Sequence, residues 1–349
     1  MLPGHGMRLL DKALKEGIDA VKNAPAPLRD FFAEVDRVPA WVDPRALERG
    51  GELLFRSGSF GGVALGVSLL YGYASPGGNK PLVFSGQLAE QAPRRLAETS
   101  RFVLTTCSPG GLARHGEGLA ITVKVRLMHA QVRRMILASG RWDSEAWGLP
   151  INQHDMAGTS ILFSYAAIES LRLLGFVFDD EEVHLYMQLW RYSGYLIGLD
   201  ADIAPASEYD ARRLKDIIRA TEGDPDEDGR KLAAALFRAG PRSHGKTLAE
   251  RRRGERQSQV GEGFVRAIMG EELSDKLGVP KTHLRHAIHP LRAVLSRVEQ
   301  NPFVKSALRE RSIKVGRAYW RLAVSRGVAP NAFGLPTQLA GVSRRGAAA

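Results

Sequence analysis

From residue 8 to residue 326 the apolar residues recur at three- and four-residue intervals, and nowhere do they alternate over a length that would make a useful strand. Leu9, Leu10, Leu14, Ile18 and Val21 set the pattern over residues 8–22, and Pro25 and Pro27 end it. Asp43-Pro44 starts a helix expected to run through Phe55, with aspartate as its cap and proline in its first turn. Helical spacing continues over Leu28–Val35, Ala92–Thr105, Met156–Leu174, Asp179–Leu199 and Ala206–Thr221. It then resumes over Lys231–Arg238, Thr247–Gly270, Glu271–Leu277, Lys281–Glu299 and Asn301–Arg326. Ser75–Lys80, SPGGNK, reads as a turn. A chain patterned in this way folds as an all-α protein, and 349 residues are enough for one large core.

Composition narrows the function classes. One cysteine, Cys107, excludes an internal disulfide and any cysteine-rich metal site. The formal net charge of +11 permits an anionic partner. Its basic residues are spread among acids, however, and Arg251-Arg252-Arg253 is bracketed by Glu250 and Glu255, so a nucleic-acid interface is not expected. Ser57–Asn79 carries no charge over the length of a membrane span, yet it holds seven glycines and a proline. It reads as a buried helix with close backbone contacts, and no transmembrane segment is expected. The N-terminus has no apolar core after its basic residue, which suggests a cytoplasmic protein. Oligomeric state is not legible.

The acidic run Glu222–Arg230, EGDPDEDGR, is the strongest linker signal. The expected organisation is an N-terminal helical extension over 1–37, a main domain over 38–326 weakly subdivided near 222–230, and a flexible tail over 327–349.

Few patterns in the chain carry chemistry. HLRHAIH places His283, His286 and His289 three residues apart, but among Lys281, Arg285 and Arg292 they read as a solvated face. Asp179–Glu182 reads as helix capping. His154 and His184 lack partners at ligand spacing. Thr122–Ile136, TVKVRLMHAQVRRMI, differs from these. Arg126, His129 and Arg133 share one side of that helix, and Val125, Val132 and Ile136 flank the histidine on the other. An apolar face with one imidazole and two edge guanidiniums suits a haem, whose metal takes a neutral imidazole and whose propionates take arginine. The pattern also describes a core helix with a satisfied histidine and two arginines lying along apolar surface. Spacing leaves both readings open.

Several blocks in one order narrow the choice. Arg126-x-x-His129-x-x-x-Arg133 lies within VRLMHAQVRR, and WGLPINQHDMAGT contains a Pro-Ile-Asn-Gln-x-Asp stretch. LWRYSGYLIGL (Leu189–Leu199), GEELSDKLGVP (Gly270–Pro280) and VPAWVDP accompany them. With these blocks the chain, from about Val38 to Arg321, resembles the latex clearing protein family of haem-b rubber oxygenases. It is also similar to the related fungal oxygenase of the mycophenolic acid pathway, which cuts a farnesyl side chain.

The resemblance implies a large globin-like helical domain around a haem pocket, with additional helices. It makes His129 the proximal ligand of haem b. Arg126 and Arg133 flank that ligand, for the propionates or for holding its helix, and His115 in ARHGEG matches a family histidine near the pocket. On the distal side the family has arginine, two spacers, then Lys-Thr, whereas this chain reads Arg95-Leu96-Ala97-Glu98-Thr99. Arg95 and Thr99 match, and Glu98 stands in the place of a lysine. The family's proposed base, a glutamate before this helix, has no counterpart, since Gly72–Ala89 contains no acid. Either Glu98 takes over the base's work or no base is needed.

The implied reaction is addition of dioxygen across an isolated C=C bond of an isoprenoid or other unsaturated apolar substrate, giving two carbonyl products. Arg95 and Thr99 would orient the oxygen, in an apolar pocket lined by the Gly61–Leu70 helix. A small apolar molecule suits a cytoplasmic protein better than a rubber polyisoprenoid. The alternatives are peroxidase-like or hydroxylating haem chemistry, a non-catalytic haem-binding sensor, and a cofactor-free helical interaction module.

Overall fold

The computed structural model describes residues 5–84, 88–239 and 247–325, and the tail expected from residue 327 lies outside the described residues. No strand occurs among the described residues. The chain opens with α1 (His5–Glu16) and α2 (Ala26–Val35), followed by α3 (Pro44–Gly50) and α4 (Glu52–Arg56). Next come α5 (Ser59–Tyr73), α6 (Pro76–Phe84), α7 (Leu88–Cys107), α8 (Glu117–Ala138) and the short α9 (Ser144–Trp147). The second half holds α10 (Gln153–Phe163), α11 (Tyr165–Leu174), α12 (Asp180–Ile197), α13 (Glu208–Thr221) and α14 (Glu227–Ala239). It ends with α15 (Leu248–Met269), α16 (Glu271–Lys276), α17 (Ile288–Gln300) and α18 (Pro302–Ser325).

Local chemistry sets several boundaries. The Asp43 side chain accepts from the Arg45 N–H at 2.9 Å and caps α3. The helix expected to reach Phe55 divides at Gly51, where a Cβ would lie 1.8 Å from the Cys107 carbonyl oxygen, so no larger residue fits. The expected turn at Ser75–Lys80 is instead the start of α6, since Pro76 occupies a first helical turn and the Gly78 N–H donates to Ser75 Oγ at 3.1 Å. Met156–Leu174, expected as one helix, breaks at Ser164, whose φ of −95° and ψ of −86° leave the helical region. Its hydroxyl donates back to the Ser160 carbonyl at 2.9 Å, a bond that bends helices. The Asp179 cap closes a reciprocal capping box with Glu182.

Leu10, Ala13, Leu14 and Phe32 join the same buried cluster as Phe264 and Trp320, so α1 and α2 pack on the main core. The acidic run is pinned rather than free. Ser75 donates to Glu222, Lys80 pairs with Asp226 and Asp228, and Lys276 pairs with Asp224. Helix α14, which follows the run, packs on α7, α5 and α6.

Ala64, Val67 and Leu70 of α5 are wholly buried, and the helix packs on α10, α11, α14 and α15. No single helix among the described residues is long and apolar enough to cross a membrane. A buried ion network ties the chain ends together. Arg56 on α4 lies 3.2 Å from Glu182 on α12 and donates to Glu299 on α17 at 2.6 Å. Arg309 on α18 then reaches Glu182 at 2.7 Å and Glu52 at 2.9 Å.

Candidate functional site

Helix α8 packs against α7, α12 and α6 and carries His129 near its centre. Val132 and Ile136 are buried and gather Phe84, Met128, Met135, Trp142 and Ile151 around the next turns. Val125 and Leu127 pack on the main core. His129 Nδ1 is buried with no hydrogen-bond partner, while the residue keeps part of its surface accessible. Burial, with the Arg133 charge beside it, lowers the imidazole pKa to about 4. The ring is therefore neutral at pH 7, which a metal ligand requires. A neutral, unpartnered imidazole beside Val125 and Val132 of its own helix would suit a ligand of haem iron.

The two flanking arginines are occupied by the protein. Arg126 forms an ion pair with Glu34 on α2 at 2.8 Å, and its guanidinium lies over the Phe31 ring. Arg133 donates from Nε to the Pro150 carbonyl at 2.9 Å and from Nη2 to the Ile151 carbonyl at 2.6 Å. Both tie the His129 helix to its neighbours. Ile151 has φ of 54°, an unusual backbone state for a β-branched residue. Ile151 lies inside the Pro-Ile-Asn-Gln stretch, so Arg133 couples that loop to the His129 helix.

Arg95, Glu98 and Thr99 lie on α7, and the structure records no hydrogen bond or ion pair between this set and His129. Arg95 and Thr99 are partly buried and one turn apart. Burial lowers the Arg95 pKa, against the opposing pull of Tyr73 and Glu98. Tyr73, at the end of α5, is raised by burial. Glu98 accepts from Arg94 Nε at 2.9 Å across one turn.

His115 lies in the loop before α8. It is exposed, its Nδ1 lies 3.4 Å from the Leu14 carbonyl of α1, and it precedes a helix whose His129 stands about 18 Å further along at 1.5 Å per residue. His283, His286 and His289 are all exposed, as the solvated-face reading requires.

The pocket expected along Gly61–Leu70 is also displaced. That stretch is core, and a Cβ on Gly61 would meet Leu54 and Ser57 at 2.9 Å. A cavity of about 550 Å³ opens where the stretch ends, lined by Tyr71, Asp155, Tyr165, Glu169, Lys215 and Glu222 among others. Burial and the nearby Glu169 push the Tyr71 phenol up to about 12. Burial raises the Asp155 and Glu222 carboxyls. Sequence reading missed this cavity because its walls come from segments about 150 residues apart. It also missed the Arg133 clamp, whose partners are backbone atoms.

Residues 54–299 match the family described as "ER-bound oxygenase mpaB/B'/Rubber oxygenase, catalytic domain". The chain is 26% identical over 279 residues to a protein named rubber oxygenase from Streptomyces sp. (strain K30), an alignment covering 78% of this chain. It spans 63% of that relative's length. The fold is similar to the solved structure of "Latex Clearing Protein LCP in the closed state", with a TM-score of 0.70 and 20% identity over 94% of this chain and 88% of that one.

Proposed function

The chain belongs to the family of ER-bound mpaB/B′ oxygenases and rubber oxygenases, and from that premise we propose that it is a haem-b-dependent dioxygenase that cleaves a C=C bond of an isoprenoid or other unsaturated apolar substrate. The observation that carries the haem is His129: a neutral imidazole, one nitrogen buried without a partner, beside Val125 and Val132 of its own helix. Haem b, when bound, supplies the activation of dioxygen that side chains alone lack. His129 holds that group from one side. Arg126 and Arg133 fix the helix that presents it, through Glu34 and through the Pro150 and Ile151 carbonyls.

Arg95 and Thr99 are the residues assigned to dioxygen. A partly desolvated guanidinium favours a developing negative charge, and Thr99, one turn away, would offer its hydroxyl as a second donor. The overall change is balanced: one C=C and one O2 give two C=O groups, with no proton or external electron consumed. The peroxidase-like alternative asks Glu98 to deliver a proton beside the reacting oxygen. Its carboxylate is held by the exposed Arg94, which favours the first reading.

The test is product analysis under 18O2, with squalene and a short polyisoprene as substrates. Cleavage to two carbonyl products carrying both labelled atoms is expected, together with a loss of at least tenfold in kcat for Arg95→Met. Hydroxylated or epoxidised products with intact carbon chains would overturn the dioxygenase assignment.

A further inference from the structure

We propose that His154, Asp155 and Glu222 form a binding site for one first-row divalent cation of the Mn2+-to-Zn2+ class, on the wall of the 550 Å³ cavity and separate from His129. Asp155 lies in the first turn of α10, and Glu222 is the residue at which α13 ends. One ligand atom from each of the three side chains lies within 4.8 Å of the others.

The hydrogen bonds around the cluster decide which atoms face inward. Thr221 Oγ1 donates to the Ile217 carbonyl at 3.0 Å, so its hydroxyl proton is committed. The same oxygen lies 3.4 Å from His154 Nε2, where it accepts in the tautomer that protonates Nε2. In that tautomer the Nδ1 lone pair faces Asp155 Oδ1 at 3.5 Å. A metal ion held between them would take the place of the proton that otherwise joins imidazole and carboxylate. About 3.3–3.5 Å is also the edge of a tetrahedron whose ligands stand 2.0–2.2 Å from zinc.

Each ligand is oriented from behind. Asn152 Nδ2 donates to Asp155 Oδ2 at 3.0 Å, and Ser75 Oγ donates to Glu222 Oε1 at 2.7 Å. With the Thr221 contact, every ligand has an outer partner that fixes it, as metal ligands do. No lysine or arginine among the described residues pairs with either carboxylate, although Lys215 and Lys276 line the same cavity and pair elsewhere. Gly78 keeps the approach open: a Cβ there would stand 3.9 Å from Asp155 Oδ1. One imidazole and two carboxylates are a borderline donor set, suited to Mn2+, Fe2+ or Zn2+ rather than to Ca2+ or Cu+. Three protein ligands leave further coordination positions turned towards the cavity.

The experiment is a calorimetric titration of the protein as isolated, with its haem if present, after dialysis against EDTA. ZnCl2 is added at pH 7.5, and Mn2+ binding is followed in parallel by loss of the free-ion EPR signal. Wild-type protein is expected to take up one equivalent of Zn2+ saturably. Glu222→Gln should abolish this uptake, and His154→Ala should weaken it at least tenfold. His154 is exposed, so its replacement leaves the fold intact even if Glu222→Gln disrupts it. Failure of the wild type to bind one equivalent, or equal affinity in His154→Ala, overturns the proposal. So does uptake that survives in His154→Ala and disappears in His286→Ala, because it would move the ion to the exposed histidines. The haem spectrum is not the readout, so the outcome is independent of the His129 assignment.

Discussion

The Arg133 guanidinium, one turn beyond His129, donates at 2.6 Å to the carbonyl of Ile151, a β-branched residue held at φ of 54°. A residue in that conformation costs on the order of 1–3 kcal/mol and persists only where its surroundings over-determine it. Here the surroundings are a forked cation that also binds the preceding carbonyl. Replacing Arg133 with Met is expected to lower the unfolding free energy by about 2–3 kcal/mol, the scale of hydrogen bonds to a charged donor. Lysine, a point charge without the fork, should recover only part of the loss. Urea unfolding of the three proteins measures this.

The neutral His129 makes stability depend on pH in one direction. Its pKa in the fold, about 4, lies below the ordinary 6.5. Between those values the unfolded chain binds a proton that the fold does not, so this contribution is complete above about pH 6.5 and is lost as pH falls towards 4. The loss is on the order of 3 kcal/mol. Haem-free wild type should show that decline between pH 7 and pH 4.5 in urea unfolding, and His129→Gln should lack it.

Arg56 joins Glu182 and Glu299 with only 3% of its side chain exposed. Arg56→Met strands Glu299 beside the Val177 backbone, while Glu182 retains Lys305 and Arg309. Removing one member of a buried ion cluster costs about 3–5 kcal/mol. Thermal unfolding should show a correspondingly lower midpoint, with Arg56→Lys in between.

Helix α18 touches α4 through a glycine. A Cβ on Gly316 would stand 1.7 Å from the Phe55 carbonyl, and backbone cannot yield as a side-chain end can. Gly316→Ala is expected to cost about 3 kcal/mol, at the upper end for overpacking. The same change at Gly62, where the nearest atom is the Tyr319 hydroxyl at 3.8 Å, should be near neutral or stabilising. Comparing the two by urea unfolding separates close approach from helix propensity.

Helical periodicity made the fold class legible, and caps such as Asp43 and Asp179 marked helix starts. The break at Ser164 was not legible, because it answers to a local hydroxyl bond rather than to a pattern in the neighbouring residues. The acidic run at residues 222–230 looked like a linker because its lysine partners, Lys80 and Lys276, lie far off in the chain. His129 was visible from helical spacing and a block resemblance. The destinations of Arg126 and Arg133 were not, because one partner is a glutamate 92 residues away and the others are carbonyls. His154 seemed isolated because Glu222 meets it only in space.

Absorbance of the purified protein, oxidised and then reduced under CO, compared between wild type and His129→Ala at equal concentration, bears most directly on the role of His129. A Soret band that shifts on CO binding is expected in the wild type, with haem retention at least tenfold lower in His129→Ala. A wild type without a Soret band after haem addition, or a His129→Ala protein with an unchanged spectrum, would contradict it.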